Sequence, residues 1–146
     1  MNTIITSKII QAYGECTLKS YFLLFGNMLN SENSYNNMLK EKAINSKEEY
    51  LTKVKSNSKV QPYSLIDFKK KESTLYDVNL KFKNLSINNE IIRLDADSNY
   101  MPLLIIGSNS ITEENKIHLA FIGYILSKFQ KKKTFDWNYC ILQSQN

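Results

Sequence analysis

The stretch YDVNLKFKNLSINNEIIRLDADSNYMPLLII, residues 76–106, decides the fold. Its first seven residues alternate apolar and polar side chains, which is the period of a half-buried strand. Lys83-Asn84 then predicts a tight connection to a second strand over Ser86 to Leu94. Asp95 to Asn99 is a strong turn signal, and Leu103 to Ile106 is continuously apolar, as expected of a strand covered on both faces. Three consecutive strands with short connections predict a meander.

Helices are predicted on the N-terminal side of this meander. Ser7 to Phe25 carries apolar residues at helical spacing, and Ser34 to about Val54 forms a second helical stretch. Asn45-Ser46 is expected to split the second stretch, because neither residue favours a helix interior. A short helix or turn over Ser64 to Lys71 leads into the sheet.

One helix and one strand are predicted after the meander. Thr112 is suited to cap a helix that runs to about Gln130, and Tyr139 to Leu142 forms a last strand. A crossover helix returns the chain to a parallel neighbour, so the sheet is expected to be mixed. The fold class is therefore α/β, in one domain over residues 1–146 with a helical region over residues 1–72 and a sheet core over residues 73–146.

Composition limits the function. A chain of 146 residues with 42% hydrophobic content is enough for a globular domain with its own core. No apolar run approaches the ~18 residues that cross a bilayer, and the N-terminus lacks a secretion signal, so no membrane partner and a cytoplasmic location are expected. Nineteen basic against fourteen acidic residues favour a polyanionic partner such as DNA, although compositional drift would produce the same excess of lysine.

Cysteine and histidine give little sign of chemistry. Cys16 and Cys140 are too few for a four-thiolate zinc or iron–sulfur site, so two reduced thiols are expected, with Cys16 facing the core. His118 is the only histidine. It is expected at a helix surface or boundary, because no acid or serine is spaced along the sequence to pair with it.

Four segments carry a resemblance to a known family: Ser7 to Leu23, Val60 to Leu65, Tyr100 to Gly107 and Ser110 to Leu126. Over Thr6 to about Leu142 the chain resembles the nuclease-like N-terminal domain of bacterial RecB-family nucleases of the PD-(D/E)XK superfamily. The ribonuclease-H-like domain that follows in longer members is not found in the chain. The resemblance implies a restriction-endonuclease-like αβββαβ core, with a mixed sheet and flanking helices.

The resemblance also implies a metal site. These nucleases hold Mg²⁺ or Mn²⁺ between a carboxylate at the end of the second strand and one on the third, beside a lysine. The first acid position falls on Glu90 and the second on Met101, whose thioether is no ligand for a hard cation. Lys116 matches a family position on the last helix and would serve as a migrated lysine. The broken acid pair predicts that catalysis is weakened or lost.

Two further sets of charged residues leave alternatives open. Asp95 and Asp97 either join Glu90 in a displaced metal cluster or belong to an ordinary exposed turn. Two lysine runs are either solvated helix ends or phosphate contacts. They are Lys69, Lys70, Lys71, Lys131, Lys132 and Lys133.

Three functions therefore compete. The first is a degenerate RecB-family nuclease-like domain that still contacts DNA. The second is an active deoxyribonuclease, a hydrolase dependent on Mg²⁺ or Mn²⁺, that uses Glu90, Asp95 or Asp97 with Lys116. The third is a non-catalytic interaction or scaffold module with a protein partner. None of them is expected to hold an iron–sulfur cluster.

Overall fold

A computed structural model of the protein describes residues 3–26, 34–57, 60–131 and 141–143. Within these ranges the elements in chain order are β1 (Ile5–Thr6), α1 (Ser7–Glu15), α2 (Thr17–Phe25), α3 (Ser34–Asn57), β2 (Val60–Pro62), α4 (Leu65–Lys70), β3 (Thr74–Phe82), β4 (Leu85–Leu94), β5 (Tyr100–Ile106), α5 (Glu113–Gln130) and β6 (Ile141–Gln143). None of the helices in these ranges is both long and apolar enough to cross a membrane.

Five strands form a mixed sheet in the order β2-β3-β4-β5-β6. The central β3, β4 and β5 are antiparallel neighbours, whereas β2 runs parallel to β3 and β6 parallel to β5. The two-residue β1 pairs in parallel with the start of β4. The predicted meander, the mixed sheet and the flanking helices are thus confirmed.

The turn between β4 and β5 is built around Asp95. Its backbone N–H donates to the carbonyl of Asn99 at 2.8 Å. Its carboxylate Oδ1 accepts the backbone N–H groups of Asp97 at 2.9 Å and of Asn99 at 2.7 Å. These bonds close the turn so that Leu94 pairs with Tyr100, and a turn of fixed length sets the register of both strands.

The β3–β4 ladder contains two bulges, at each of which one residue has a left-handed backbone. Asp77 has φ 53° and Asn89 has φ 61°. The first bulge shifts the alternation of β3, so Leu75 joins Val78 in the core. The alternation in the sequence predicts that Tyr76 shares the core face of Val78. This is wrong, because the extra residue at the bulge moves the side chains that precede it in β3 to the opposite face of the sheet.

The main core lies between the sheet and α5. Burying each large apolar side chain of this kind contributes about 1.5–3 kcal/mol. Its fully or nearly buried members are Phe68, Leu75, Val78, Leu80, Ile87, Ile92, Tyr100, Ile122, Ile125 and Leu126. At the end of β5, Gly107 packs closely against the backbone of α3. A Cβ at this position would overlap the Leu39 carbonyl oxygen.

Two helix predictions are wrong. The single helix expected over residues 7–25 breaks at Cys16, whose extended backbone (φ −164°, ψ 122°) ends α1 and begins α2. The Cys16 thiol is consequently exposed and does not face the core. Conversely, α3 continues through Asn45-Ser46 without a split. It is anchored on both sides of that point, by the approach of Ala43 to Gly107 and by Lys47, so packing overrides local propensity.

Gly14 marks the place where α1 crosses α5. A Cβ on Gly14 would lie 2.8 Å from the Cα of Glu114, a backbone atom that must move to make room. We expect Gly14→Ala to lower the free energy of unfolding by about 1–2 kcal/mol, because overpacking outweighs the gain of about 1 kcal/mol in helix propensity. Urea denaturation measures this change. Lys8→Ala, at an exposed position of the same helix, is the control and should stay within about 0.5 kcal/mol of wild type. A stabilised Gly14→Ala protein would contradict the close crossing.

Tyr100 is fully buried, and its hydroxyl donates to the carbonyl of Asp67 at 3.2 Å. Burial, with a smaller contribution from the Asp67 carboxylate, raises the pKa of Tyr100 from 10.0 to about 12. The folded state therefore keeps the phenol proton at a pH where the unfolded chain has lost it. This contribution to stability is complete below about pH 10 and is lost as the pH rises toward 12.

We expect Tyr100→Phe to lose less stability than wild type when the pH is raised from 9 to 11. The difference should be about 1 kcal/mol, as the raised pKa predicts for one phenol. Urea titrations at both pH values measure it, and Tyr13→Phe, at an exposed position, is the control that should follow wild type. Equal losses in wild type and Tyr100→Phe would contradict the raised pKa.

Candidate functional site

One face of α1 is directed at α5 and β4. It consists of Ser7, Gln11 and Gly14, which lie one above another because they are spaced by four and three residues. Gln11 meets His118 of α5, and Ser7 meets Glu90 of β4. The absence of a side chain at Gly14 lets the two helices approach closely enough for these contacts.

Glu90 is the centre of a hydrogen-bonded group, here called the Glu90 cluster, formed by Ser7, Gln11, Glu90 and His118. Ser7 Oγ donates to Glu90 Oε1 at 3.0 Å, and His118 Nε2 lies 3.0 Å from the same oxygen. His118 Nδ1 lies 2.6 Å from Gln11 Nε2. Because an amide nitrogen donates, Nδ1 accepts, and the ring proton resides on Nε2, where it is donated to Glu90.

The two ionisable members of the Glu90 cluster are shielded from water, whereas Ser7 and Gln11 are half-buried. His118 is 4% exposed and Glu90 9% exposed. A buried ionisable group is tolerated only when it is paired and hydrogen-bonded. The cluster meets this condition, since no buried side-chain nitrogen or oxygen among the described residues lacks a hydrogen-bond partner.

The sequence-based expectation for His118 is wrong, because the residue is buried and paired with an acid. The partner, Glu90, lies on a different element 28 positions away, so no local spacing announces it. A usable signal existed nonetheless. His118 precedes the buried Ile122 by one helical turn and therefore falls on the core face of α5, where an imidazole needs a partner.

The chemistry available to the cluster is limited by its connectivity. A serine nucleophile needs a base that takes its proton, and the base is in turn oriented by an acid. Here Ser7 donates to the Glu90 carboxylate, and His118 donates to the same oxygen. The arrangement therefore differs from a Ser-His-acid triad, in which the imidazole and not the carboxylate accepts the serine proton.

Glu90 and Met101 do not face each other. In the β4–β5 ladder Arg93 is opposite Met101 and Ile91 is opposite Leu103. The three residues from Glu90 to Arg93 correspond to about 10 Å along the strand. Met101 packs instead against a small apolar cluster formed by Leu104, Ile106 and Leu119. The expectation that both positions border one metal site is therefore not met.

The other predicted acids and the lysine also lie apart from Glu90. Asp95 follows it by five residues, roughly 16 Å of extended strand, and its carboxylate is bonded within the turn. Asp97 is exposed in the same turn. Lys116 precedes His118 by two residues and so lies on nearly the opposite side of α5, with its side chain 59% exposed and paired with Glu113 at 2.5 Å.

Glu90, Asp95 and Asp97 are not grouped as the ligands of one Mg²⁺ or Mn²⁺ ion would be. Such ions take oxygen ligands from one or more carboxylates and from water. The Glu90 Oε1 atom already accepts two hydrogen bonds in a buried position. Within the described ranges, three or more His, Cys, Asp or Glu side chains are nowhere grouped as a metal ion requires.

Lysines of the two predicted runs are found at helix ends. Lys69, Lys70 and Lys71 are exposed at the end of α4, and Lys71 has the left-handed backbone (φ 54°) of a helix C-cap. Lys131 is exposed and ends α5 in the same way. Residues 132 and 133, the other two lysines of the second run, lie outside the described ranges. The placement suits solvated helix ends and leaves the ammonium groups accessible.

Comparison with known proteins adds no relative. No family model matches the chain, and neither does a curated protein or a solved structure. The geometry of the described residues and the sequence resemblance are therefore the basis for a functional proposal.

The Glu90 cluster predicts a coupled loss of stability. We expect Glu90→Ala to lower the free energy of unfolding by about 3 kcal/mol, because it leaves the buried His118 and the half-buried Ser7 without an acceptor. Glu113→Ala, which removes an exposed carboxylate from α5, is the control and should change stability by about 0.5 kcal/mol or less.

Urea denaturation of a double-mutant cycle tests whether the two side chains act as a pair. The combined Glu90→Leu and His118→Leu protein should lose clearly less stability than the sum of the two single variants. Additive losses would show that Glu90 and His118 contribute independently and would contradict the cluster.

Proposed function

We propose that the protein is a degenerate RecB-family nuclease-like domain that contacts DNA without cutting it. The fold component is supported by the meander, the crossover helix α5 and the parallel pairing of β6 with β5, an arrangement consistent with a restriction-endonuclease-like core. The sequence resemblance supplies the link to the RecB family.

One observation carries the proposal of lost catalysis. The carboxylate at the first acid position, Glu90, is buried and bonded to Ser7 and His118, with Arg93 and not Glu90 opposite Met101. Cleavage of a phosphodiester by this superfamily needs two carboxylates that share a metal ion. The residues serve the packing of helices on the sheet, and catalysis is absent as a consequence.

Contact with DNA is supported by charge. The chain carries a formal net charge of +5, and lysines are exposed at the ends of α4 and α5. Cationic side chains that can reach the phosphate backbone bind nucleic acid without sequence preference, and they do so more weakly as salt rises.

We expect wild-type protein to leave single- and double-stranded DNA intact in the presence of Mn²⁺, as read on a denaturing gel. Met101→Glu should be equally inactive, because the new carboxylate would stand opposite Arg93 and about 10 Å along the strand from Glu90. Cleavage by wild type that disappears in Glu90→Gln would overturn the proposal.

Wild-type protein should bind the same DNA at low salt, with an affinity that falls steeply between about 50 and 200 mM salt.

A second candidate function, a non-catalytic interaction module, is favoured by one observation. α2 and the end of α1 expose large apolar side chains, among them Tyr21 at 57% and Phe25 at 66% exposure. The other exposed apolar side chains of these two helices are Tyr13, Leu18 and Phe22. Exposed apolar patches on a monomer commonly mark interaction sites. Failure to bind DNA even at low salt would favour this function over the first.

A further inference from the structure

A cleft of about 390 Å³ lies beside the turn that joins β3 to β4. It is lined by Ile4, Lys81, Lys83 and Asn84. A volume of this size is within the range of about 300–1,000 Å³ that holds small-molecule ligands. The cleft shares no lining residue with the Glu90 cluster or with the helix-end lysines.

The walls of the cleft are positioned by strand pairing. Phe82 pairs with Leu85, so Lys83 and Asn84 form the two-residue turn between them. On the other side, the backbone N–H of Ile5 donates to the carbonyl of Asn84 at 2.8 Å where β1 joins β4. Ile4, one residue earlier, is thereby held next to the turn and forms an apolar wall.

The polar groups of the cleft favour an anion. Lys81 and Lys83 bring two ammonium groups, and Asn84 brings an amide that can donate. The described residues that line the cleft include no carboxylate. Two cationic side chains in a lining that includes no carboxylate favour the binding of a phosphate group.

Lys83 occupies an unusual backbone conformation for a lysine. Its φ is 56°, in the left-handed region that glycine and asparagine adopt more easily. Its Nζ lies 5.6 Å from the centroid of the Phe82 ring, so the ammonium is held against the strand next to the cleft. A positive φ at the first residue is what a two-residue hairpin turn requires, so the turn fixes the direction of the Lys83 side chain.

We propose that this cleft binds phosphate groups through Lys81 and Lys83, either those of a DNA backbone or that of a free nucleotide. A DNA contact at this cleft rests on the proposed function, because it names one surface through which the protein would contact DNA. The cleft lies at the β3–β4 turn and is separate from the lysines at the helix ends.

The experiment compares two double variants that remove the same charge. Lys81→Gln with Lys83→Gln alters the cleft, whereas Lys19→Gln with Lys116→Gln removes two lysines that are already paired with Glu15 and Glu113. Fluorescence anisotropy with a labelled DNA duplex measures affinity over a range of salt concentrations. Isothermal titration with a nucleoside monophosphate and with inorganic phosphate measures the free ligands. Circular dichroism and thermal unfolding establish that each variant is folded.

We expect the cleft variant to bind the duplex at least about fivefold more weakly, with the salt slope reduced by about two, and the paired-lysine variant to change affinity less than about twofold. Lys81→Arg with Lys83→Arg, which keeps both charges, should bind as wild type does. A different outcome is possible for the free ligands. If wild type binds the nucleoside monophosphate or phosphate but not DNA, and the cleft variant loses that binding, the cleft site is supported and the proposed DNA contact is overturned.

If the two double variants bind DNA equally weakly, the effect is one of net charge, and the proposed cleft site is overturned. If the cleft variant retains DNA binding in full and loses no binding of the nucleotide or of phosphate, the proposed cleft site is overturned and the proposed DNA contact still stands. Wild-type protein that binds neither DNA, nucleotide nor phosphate at low salt would overturn both.

Discussion

A carboxylate buried beneath two helices costs several kcal/mol unless other groups compensate its charge. Glu90 meets that constraint through Ser7 on α1 and His118 on α5, and Gln11 fixes the second nitrogen of the ring. Each partner belongs to a different element, so hydrogen bonds to the single oxygen Glu90 Oε1 join α1, α5 and β4. The pairing of β1 with β4 acts at the same place, because it attaches the residues directly before α1 to the sheet. The N-terminal helix is thus joined to the meander by backbone and side-chain bonds together.

Two of the acids considered as metal ligands, Glu90 and Asp95, are hydrogen-bonded within the fold, whereas several lysines and apolar side chains are exposed. Glu90 is hydrogen-bonded where α1 and α5 pack on β4, and Asp95 is hydrogen-bonded within the turn that fixes the strand register, whereas Asp97 is exposed in that turn. Among the described residues, the exposed groups that can meet another molecule include lysines at helix ends and at the β3–β4 turn, and the apolar side chains of α2.

Local features of the fold could be predicted from the sequence, whereas long-range pairings could not. The cap of α5 was predictable because Thr112 and Asn115 bond within three residues, and the Asp95 turn was predictable for the same reason. The partner of His118 was not, because a strand and a helix bring it to Glu90 from 28 positions away. The bulges shift the faces of β3 and β4 by one residue, which side-chain alternation cannot reveal, although Asp77 and Asn89 are residue types that tolerate a left-handed backbone. The register that separates Glu90 from Met101 depends on where the strands begin to pair, and β5 begins at Tyr100, before the apolar run that predicted it.

The state of the His118 ring tests the central claim most directly. His118 is the only histidine of the chain, so the imidazole nitrogen signals of ¹⁵N-labelled protein in a long-range ¹H–¹⁵N correlation spectrum belong to it alone. The Glu90 cluster predicts a ring with its proton on Nε2, an unprotonated Nδ1, and an Nε2–H resonance that is protected from exchange with water in wild type and exposed in Glu90→Ala. A ring that exchanges its proton freely in wild type, or one whose signals are unchanged in Glu90→Ala, would contradict a buried carboxylate shared between the helices.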